Sequence, residues 1–252
     1  MSYRWLTVFL DFPADAFDPG VAFWQAVTGS GLSARRGPSG DFATLLPPDG
    51  DAYLRVQRLV AGDGGCHLDL HVDTAAEPLA AAAERARSLG ARLLHSEDGL
   101  IVAASPAGFP FCLVSWDGEQ VVPSPLPDGA GATRVDTLCI DVPPAEFERE
   151  CAFWSALTAW EAAPAPFPAY AFLRMPPQLP IRIILQRLEH AAPGQQARAH
   201  VDFGAPDPAA VTAHVALGAR VITTQEHWTV LADPANREYC LVNRPPIASM
   251  IV

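Results

Sequence analysis

Two histidine–aspartate pairs are the residues in this sequence best suited to acid–base chemistry. His67 precedes Asp69 by two positions, and His200 precedes Asp202 by the same spacing. In a β-strand this spacing places both side chains of a pair on one face, away from the apolar neighbours. An imidazole oriented by a carboxylate can move a proton near neutral pH, so all four residues are candidate catalytic residues. The alternative is that each pair is a fixed hydrogen-bonding unit that positions a ligand or joins strand ends.

Several other polar side chains are candidate ligand-binding residues. Gln57 and Gln186 lie in otherwise apolar strands, where an amide either orients a ligand in a cavity or closes a buried backbone hydrogen bond. Arg55 lies two positions before Gln57, so both side chains are expected on the same face of the strand. The corresponding residue of the second copy is Ile184. A lone cation facing a cavity attracts a carboxylate or phenolate, whereas an arginine at a sheet edge faces water. His71 shares the face of the first pair, and a glycine occupies its later counterpart.

The five cysteines include no C-x-x-C pair, and their number is odd. This usage predicts buried, reduced thiols. Cys112 and Cys240 lie in the runs Phe-Cys-Leu-Val and Tyr-Cys-Leu-Val. A catalytic thiol needs a nearby cation or helix start to lower its pKa, and neither run supplies one locally. We therefore expect both cysteines to fill the core.

The elements that must position these residues occur twice, because the chain repeats itself. Five segments recur in the same order at similar offsets, beginning at Phe23 and Phe153, Val56 and Leu185, His67 and His200, Leu89 and Leu217, and Pro106 and Pro234. A stretch rich in Pro, Gly and Ser separates the two copies, as expected of a linker. We predict tandem domains at residues 1–122 and 132–252, joined by a linker at 123–131.

Each copy contains two units of one strand, one helix and further strands. In the first copy, apolar periodicity and turn residues predict these elements at Leu6–Phe12, Pro19–Thr28, Phe42–Leu46, Tyr53–Leu59, Cys66–Val72, Glu77–Leu89, Arg92–His95, Leu100–Ala104 and Phe111–Trp116. A sheet with helices on one face leaves its second face open. The sequence predicts an α+β fold of four βαβββ units, whose curled mixed sheets form two tandem domains that enclose cavities.

These features together resemble the vicinal oxygen chelate superfamily, which includes glyoxalases, bleomycin-resistance proteins and extradiol dioxygenases. The resemblance rests on the paired units, the Phe-Trp helix, the His-x-Asp strand, the Leu-Gly-Ala-Arg segment and the run Asp233–Leu241. It covers nearly the whole chain, once per half. The bacterial glyoxalase-like domain proteins are the group within it that the chain resembles most.

The resemblance implies a set of metal-ligand positions in each half. The first-half positions are Thr7, Gln57, His67 and Cys112, and the second-half positions are Thr137, Gln186, His200 and Cys240. Metal-dependent relatives usually carry His or Gln, then Glu, His and Glu, so this chain keeps the histidine and replaces the last glutamate by cysteine. A thiolate at Cys112 or Cys240 would supply the negative charge that Zn, Fe or Mn requires. The sequence identifies no certain cofactor, and Thr7 and Thr137 are expected to contact a ligand.

Composition limits the classes of function. Among 252 residues, 17 Lys+Arg against 28 Asp+Glu give a net charge of −11. This balance argues against binding to nucleic acid or to an anionic membrane. We see no transmembrane run, signal-peptide pattern, phosphate loop or nucleophile elbow, and we expect a cytoplasmic protein.

Two functions follow as hypotheses. The first is a binding protein for a small organic molecule, aromatic or antibiotic-like, held in a sheet-lined cavity. The second is a lyase, isomerase or dioxygenase-like enzyme in which His67 or His200 acts as acid and base, with or without a divalent metal. Because four units in one chain can pair internally, we expect a monomer or a homodimer.

Overall fold

The computed structural model describes residues 3–128, 131–163, 165 and 167–247. Within these residues it contains seventeen β-strands, four α-helices and a short 3-10 helix at Pro144–Glu146. The predicted α+β fold class is confirmed, with the order of elements repeated in the two halves. Residues 129 and 130 of the predicted linker lie outside the described residues. Among the described helices, none has the length and hydropathy needed to cross a membrane.

The first half follows the predicted order closely. Its elements are β1 (Tyr3–Pro13), α1 (Phe17–Thr28), β2 (Gly31–Leu32), β3 (Phe42–Leu46), β4 (Leu54–Leu59), β5 (Gly65–Val72), α2 (Leu79–Ser88), β6 (Arg92–Glu97), β7 (Leu100–Ala104) and β8 (Pro110–Ser115). Helix α1 begins two residues before the predicted Pro19, because the first helical turn tolerates proline. Its last residue, Thr28, is followed by Gly29, whose φ of 60° is the left-handed conformation that glycine adopts without strain.

The second half repeats these elements after a short strand at its start. They are β9 (Leu126–Asp128), β10 (Gly131–Val142), α3 (Phe147–Thr158), β11 (Ala162–Ala163), β12 (Tyr170–Leu173), β13 (Arg182–Arg187), β14 (Arg198–Gly204), α4 (Ala209–Ala216), β15 (Arg220–Thr224), β16 (Trp228–Ala232) and β17 (Glu238–Val242).

The strands form one mixed sheet in each half. The first sheet has the order β2-β3-β4-β1-β5-β8-β7-β6, and the second has the matching order β11-β12-β13-β10-β14-β17-β16-β15, with β9 beside β10. Strands β5 and β8 are parallel, as are β14 and β17, whereas β6, β7 and β8 are antiparallel. The repeat in the sequence is therefore a repeat of sheet topology.

The described residues form two compact units, each combining segments from both halves. Unit 1 comprises the chain up to Val8, Cys66–Gln120 and Leu138–Ala199, and unit 2 comprises Phe9–Gly65, Val121–Thr137 and the chain from His200 onward. The predicted domain boundaries follow the sequence repeat instead, and they stay a prediction.

Each unit buries one indole among other aromatic rings. In unit 2, Trp24 stacks on Phe203 at a centroid distance of 6.0 Å, and its Nε1 donates to Asp233 Oδ2 at 2.8 Å. In unit 1, Trp154 packs against Phe111 at 5.4 Å, and its Nε1 donates to Glu150 Oε1 at 2.7 Å. Both indoles are fully buried, so their N–H groups need these carboxylates.

Candidate functional site

Strand β5 carries the first histidine–aspartate pair. His67 Nε2 lies 3.8 Å from Asp69 Oδ1, and His71 follows on the same strand face. The alternate residues are completely buried apolar side chains, namely Leu68, Leu70 and Val72. Asp69 is nearly buried, whereas His67 is partly exposed. The imidazole is thus the member of the pair that a small molecule can reach.

Cys112 completes a cluster with this pair. Strands β5 and β8 run parallel with Asp69 directly beside Cys112, and one ligand atom from each of His67, Asp69 and Cys112 lies within 4.8 Å of the others. Asp69 Oδ1 is buried and accepts no hydrogen bond from any residue that the structure describes. A buried carboxylate oxygen in this situation costs free energy unless a cation or donor reaches it.

The donor set of this cluster fits a divalent ion. Imidazole nitrogen, carboxylate oxygen and thiolate sulfur are the donors that zinc accepts, and two of the three can be anionic. Sequence reasoning treated Asp69 as a partner of His67, whereas the structure also makes it a third potential ligand. None of the five cysteines, all of which the structure describes, forms a disulfide, and four of them are buried, including Cys112.

His71 belongs to a separate polar chain on the same strand. Its Nε2 lies 2.9 Å from Thr7 Oγ1, and its Nδ1 lies 3.6 Å from Glu119 Oε1. The imidazole beside Glu119 lowers the pKa of that carboxyl to about 2, so the carboxylate is charged at neutral pH. The structure thus places Thr7 against His71. Sequence reasoning missed Glu119, since a loop acid after a strand carries no local signal.

The second half repeats the histidine–aspartate–cysteine arrangement within unit 2. His200 Nε2 lies 3.3 Å from Asp202 Oδ1, and Asp202 is directly beside Cys240 in the parallel pairing of β14 and β17. Burial, and secondarily the Asp202 charge, raise the pKa of the Cys240 thiol to about 11, against a hydrogen bond to His200 that lowers it. Cys240 is therefore a neutral thiol near pH 7, as expected for a buried core residue.

Thr137 lies beside an ion pair between Asp136 and Arg244, which the sequence did not indicate. Arg244 binds both oxygens of Asp136 at 2.6 Å and also donates to Thr137 Oγ1 at 3.0 Å. Gly204 stands where the first half has His71, and Arg244 Nη1 lies 2.9 Å from the position that a Cβ on Gly204 would occupy. The Cα atom of Pro246 lies nearer still, at 2.5 Å, so Pro246 and Arg244 together occupy the space beside Gly204.

The two glutamines lie beside aromatic rings. Gln57 pairs directly with Phe42 across β3 and β4, and Gln186 pairs with Tyr170 across β12 and β13. These side chains are partly exposed, while alternate positions such as Val56 are fully buried. We call the sheet faces that carry these two pairs the amide–aromatic faces. The first-half face comprises Phe42, Thr44, Arg55 and Gln57, and the second-half face comprises Tyr170, Phe172, Ile184 and Gln186.

Unit 2 also contains a small cavity of about 30 Å³. Its lining includes Leu45, Tyr53, Arg134 and Phe203, and it includes none of the predicted site residues. A volume of this size holds one or two water molecules, since a small-molecule pocket needs several hundred Å³. This cavity is not a ligand site for an aromatic molecule.

The repeated strand–helix–strand units, with a histidine on the fifth strand and its counterpart, define a protein of the vicinal oxygen chelate superfamily. A family model described as glyoxalase-like domain matches residues 7–114 and again 137–242, so the chain belongs to the glyoxalase-like domain family. The predicted superfamily and tandem arrangement are confirmed. No curated protein matches the chain in sequence.

Solved structures share this fold at low sequence identity. The 2,2',3-trihydroxybiphenyl 1,2-dioxygenase of Sphingomonas wittichii is 17% identical with a TM-score of 0.64, and the alignment covers 96% of this chain and 90% of that one. The Mn(II)-bound glyoxalase of Novosphingobium aromaticivorans is 14% identical with a TM-score of 0.65, covering 98% of this chain and 83% of that one. At these identities the likeness concerns the fold.

Proposed function

We propose that the protein binds a small aromatic molecule on its amide–aromatic faces. The observation that carries this proposal is the direct pairing of a glutamine with an aromatic residue in both halves, Gln57 with Phe42 and Gln186 with Tyr170. An aromatic ring offers stacking surface, and an amide beside it both donates and accepts hydrogen bonds. Because all four side chains remain partly exposed, a ligand can contact ring and amide together.

The names of proteins with this fold support a particular class of ligand. Neighbours include dioxygenases named for trihydroxybiphenyl and for catechol, which are planar aromatic compounds. The proposed ligand class for this chain is therefore a mono- or bicyclic aromatic compound, with an antibiotic-like molecule as a larger member of the class.

A ligand panel tests the binding function. Thermal shift followed by calorimetry with aromatic metabolites and aromatic antibiotics should find at least one ligand. Gln57→Leu and Gln186→Leu should each weaken binding at their own face by about tenfold, because each removes a hydrogen bond. Gln225→Leu is the matched control, since Gln225 is exposed on a loop. A panel without any ligand, or equal affinities for all three variants, would contradict the proposal.

A second candidate function rests on a different observation, the cluster of His67, Asp69 and Cys112. In a metal-dependent form, the three residues would hold a divalent ion, which would act as a Lewis acid on a substrate oxygen. In a metal-free form, the imidazole of His67, which is partly exposed and lies beside Asp69, would move a proton to or from the substrate. This arrangement suits a lyase, an isomerase or a dioxygenase-like enzyme.

Metal content tests this candidate function independently of any substrate. Elemental analysis of protein purified without chelator, and calorimetric titration with zinc, should show at least one strong site per chain. Cys112→Ser should weaken zinc binding at least tenfold, whereas Cys240→Ser should leave it unchanged because Cys240 is not part of this cluster. Absence of metal binding, or equal losses in both variants, would rule against the metal-dependent enzyme.

A further inference from the structure

Arg55 is a cation on the first amide–aromatic face, and the described part of the chain places no counter-charge against it. Its Nε is buried and donates to no residue that the structure describes, and the described acidic residues form no ion pair with its guanidinium. Arg58, three residues later on the same strand, binds Asp41 Oδ1 through Nε at 3.0 Å and Nη2 at 2.9 Å. The chain thus neutralises one arginine of β4 and leaves its neighbour available.

An aromatic ring covers one side of this cation. The Arg55 guanidinium lies over the Phe9 ring at 5.7 Å, and Phe9 meets Phe42 edge to face at 6.5 Å. Phe9 is nearly buried, and Arg55 as a whole is only partly exposed. The Phe9 ring displaces water from one side of the guanidinium, which strengthens its attraction for an anion.

A partly desolvated cation without a counter-ion is costly, and an anionic ligand removes that cost. The guanidinium fork matches the two oxygens of a carboxylate, which it can bind through parallel hydrogen bonds. Thr44 lies directly beside Arg55, and Gln57 is two positions along the same strand, next to Phe42. The ring of a ligand can therefore contact Phe42 while its carboxylate reaches the exposed end of Arg55.

We propose that the first amide–aromatic face binds an aromatic carboxylate, with Arg55 as the residue that selects the negative charge. This inference rests on the binding function proposed above and adds the class of ligand. The second face carries Ile184 at the position of Arg55, paired with Phe172 as Arg55 pairs with Thr44. The second face also carries a cation, Arg182, whose guanidinium lies over the Phe172 ring at 5.4 Å, so the assignment of charge selection to Arg55 concerns the first face.

Paired ligands that differ only in charge test this assignment on the full chain. The probes are 2-naphthoate against 2-naphthamide and cinnamate against cinnamamide, titrated by calorimetry and by ligand-observed NMR. Wild-type protein should bind each carboxylate at least tenfold more tightly than its amide. Arg55→Ile, which installs the residue of the other half, should abolish this preference and leave amide affinity within about twofold. Arg55→Lys should retain part of the preference.

Arg58→Ile is the matched control, because it removes the same charge from the same strand outside the face. It should keep the carboxylate preference of the wild-type protein. If the aromatic amides bind as well as the carboxylates, or if Arg55→Ile keeps the preference, the assignment of Arg55 is wrong while aromatic binding stands. If neither member of any pair binds to wild-type protein, both the assignment and the proposed binding function fail. The wild-type comparison decides the question even if a variant does not fold.

Discussion

His214 is a buried imidazole in the aromatic core of unit 2. Its Nδ1 lies 3.0 Å from the hydroxyl of Tyr239, and its ring meets Phe203 edge to face at 5.1 Å. Burial lowers the pKa of His214 to about 4, because the charged imidazolium is poorly solvated among these rings. His214 is therefore neutral in the folded protein at physiological pH, and it acts in packing.

This shift predicts acid sensitivity. The pKa of His214 is lower in the folded state than in the unfolded state, whose value is about 6.5. The unfolded state alone gains the proton as pH falls from 6.5 towards 4, so the stabilisation is present above pH 6.5 and is lost below it. Between pH 7.5 and 5, the free energy of unfolding should fall by about 2 kcal/mol through this residue. Urea unfolding of wild type and His214→Phe at the two pH values measures the difference. An equal pH dependence in both proteins would contradict the assignment.

At the scale of elements, the two units supply the carboxylate for their buried indole from different places. In unit 2 the acid is Asp233, in the loop after β16, whereas in unit 1 it is Glu150 in the first turns of α3. Glu150 also accepts the N–H of Ala107, and burial is the main cause that raises its pKa. The counterpart of Glu150 is Gly20, and the counterpart of Asp233 is Ser105. The carboxylate that binds the indole therefore comes from a helix in unit 1 and from a loop in unit 2.

A carboxylate introduced at the loop position of unit 1 should recover part of the stability that is lost when Glu150 is removed. Glu150→Gly leaves the buried N–H groups of Trp154 and Ala107 without an acceptor and should cost about 2–4 kcal/mol. Adding Ser105→Asp should recover at least half of that loss, because Ser105 Oγ already accepts the N–H of Phe109 as Asp233 Oδ1 accepts that of Arg237. Urea denaturation of the single and double variants measures the coupling free energy between positions 105 and 150. Ser105→Asp alone places two carboxylates together and should destabilise. If the double variant is no more stable than Glu150→Gly, the loop position cannot replace the helix position.

Local patterns in the sequence predicted most elements but not their long-range polar pairs. The strands expected at Phe42–Leu46 and Leu100–Ala104 have those bounds, because alternation and turn residues specify them locally. The two-residue strands Gly31–Leu32 and Ala162–Ala163 are too short to show a period. Asp136 and Arg244 pair across 108 positions, and such contacts depend on sheet register and leave no local signal. For the same reason the cluster of His67, Asp69 and Cys112 was only partly foreseen.

For the whole molecule, duplication preserved the fold while the polar residues of the halves diverged. The first half has Arg55 and His71 where the second has Ile184 and Gly204. Sequence identity between the copies is therefore a good guide to shared topology and a poor guide to shared ligands. We expect the halves to differ in ligand preference.

The composition of the compact units predicts how fragments behave. Unit 1 joins Cys66–Gln120 to Leu138–Ala199, and its core includes the packing of Phe111 on Trp154. A fragment of residues 1–122 lacks one part of that core, so it should show no cooperative thermal transition by circular dichroism. The full chain is the control. A cooperative transition in the fragment would show that the first half folds independently.

A crystal structure of the protein with a ligand from the panel decides whether the amide–aromatic faces bind an aromatic molecule. We expect the aromatic ring against Phe42 or Tyr170, with a polar ligand atom within hydrogen-bonding distance of the paired Gln57 or Gln186. For a carboxylate, the anion should lie at Arg55. A ligand bound with high occupancy away from both faces would show that these faces are not the binding site.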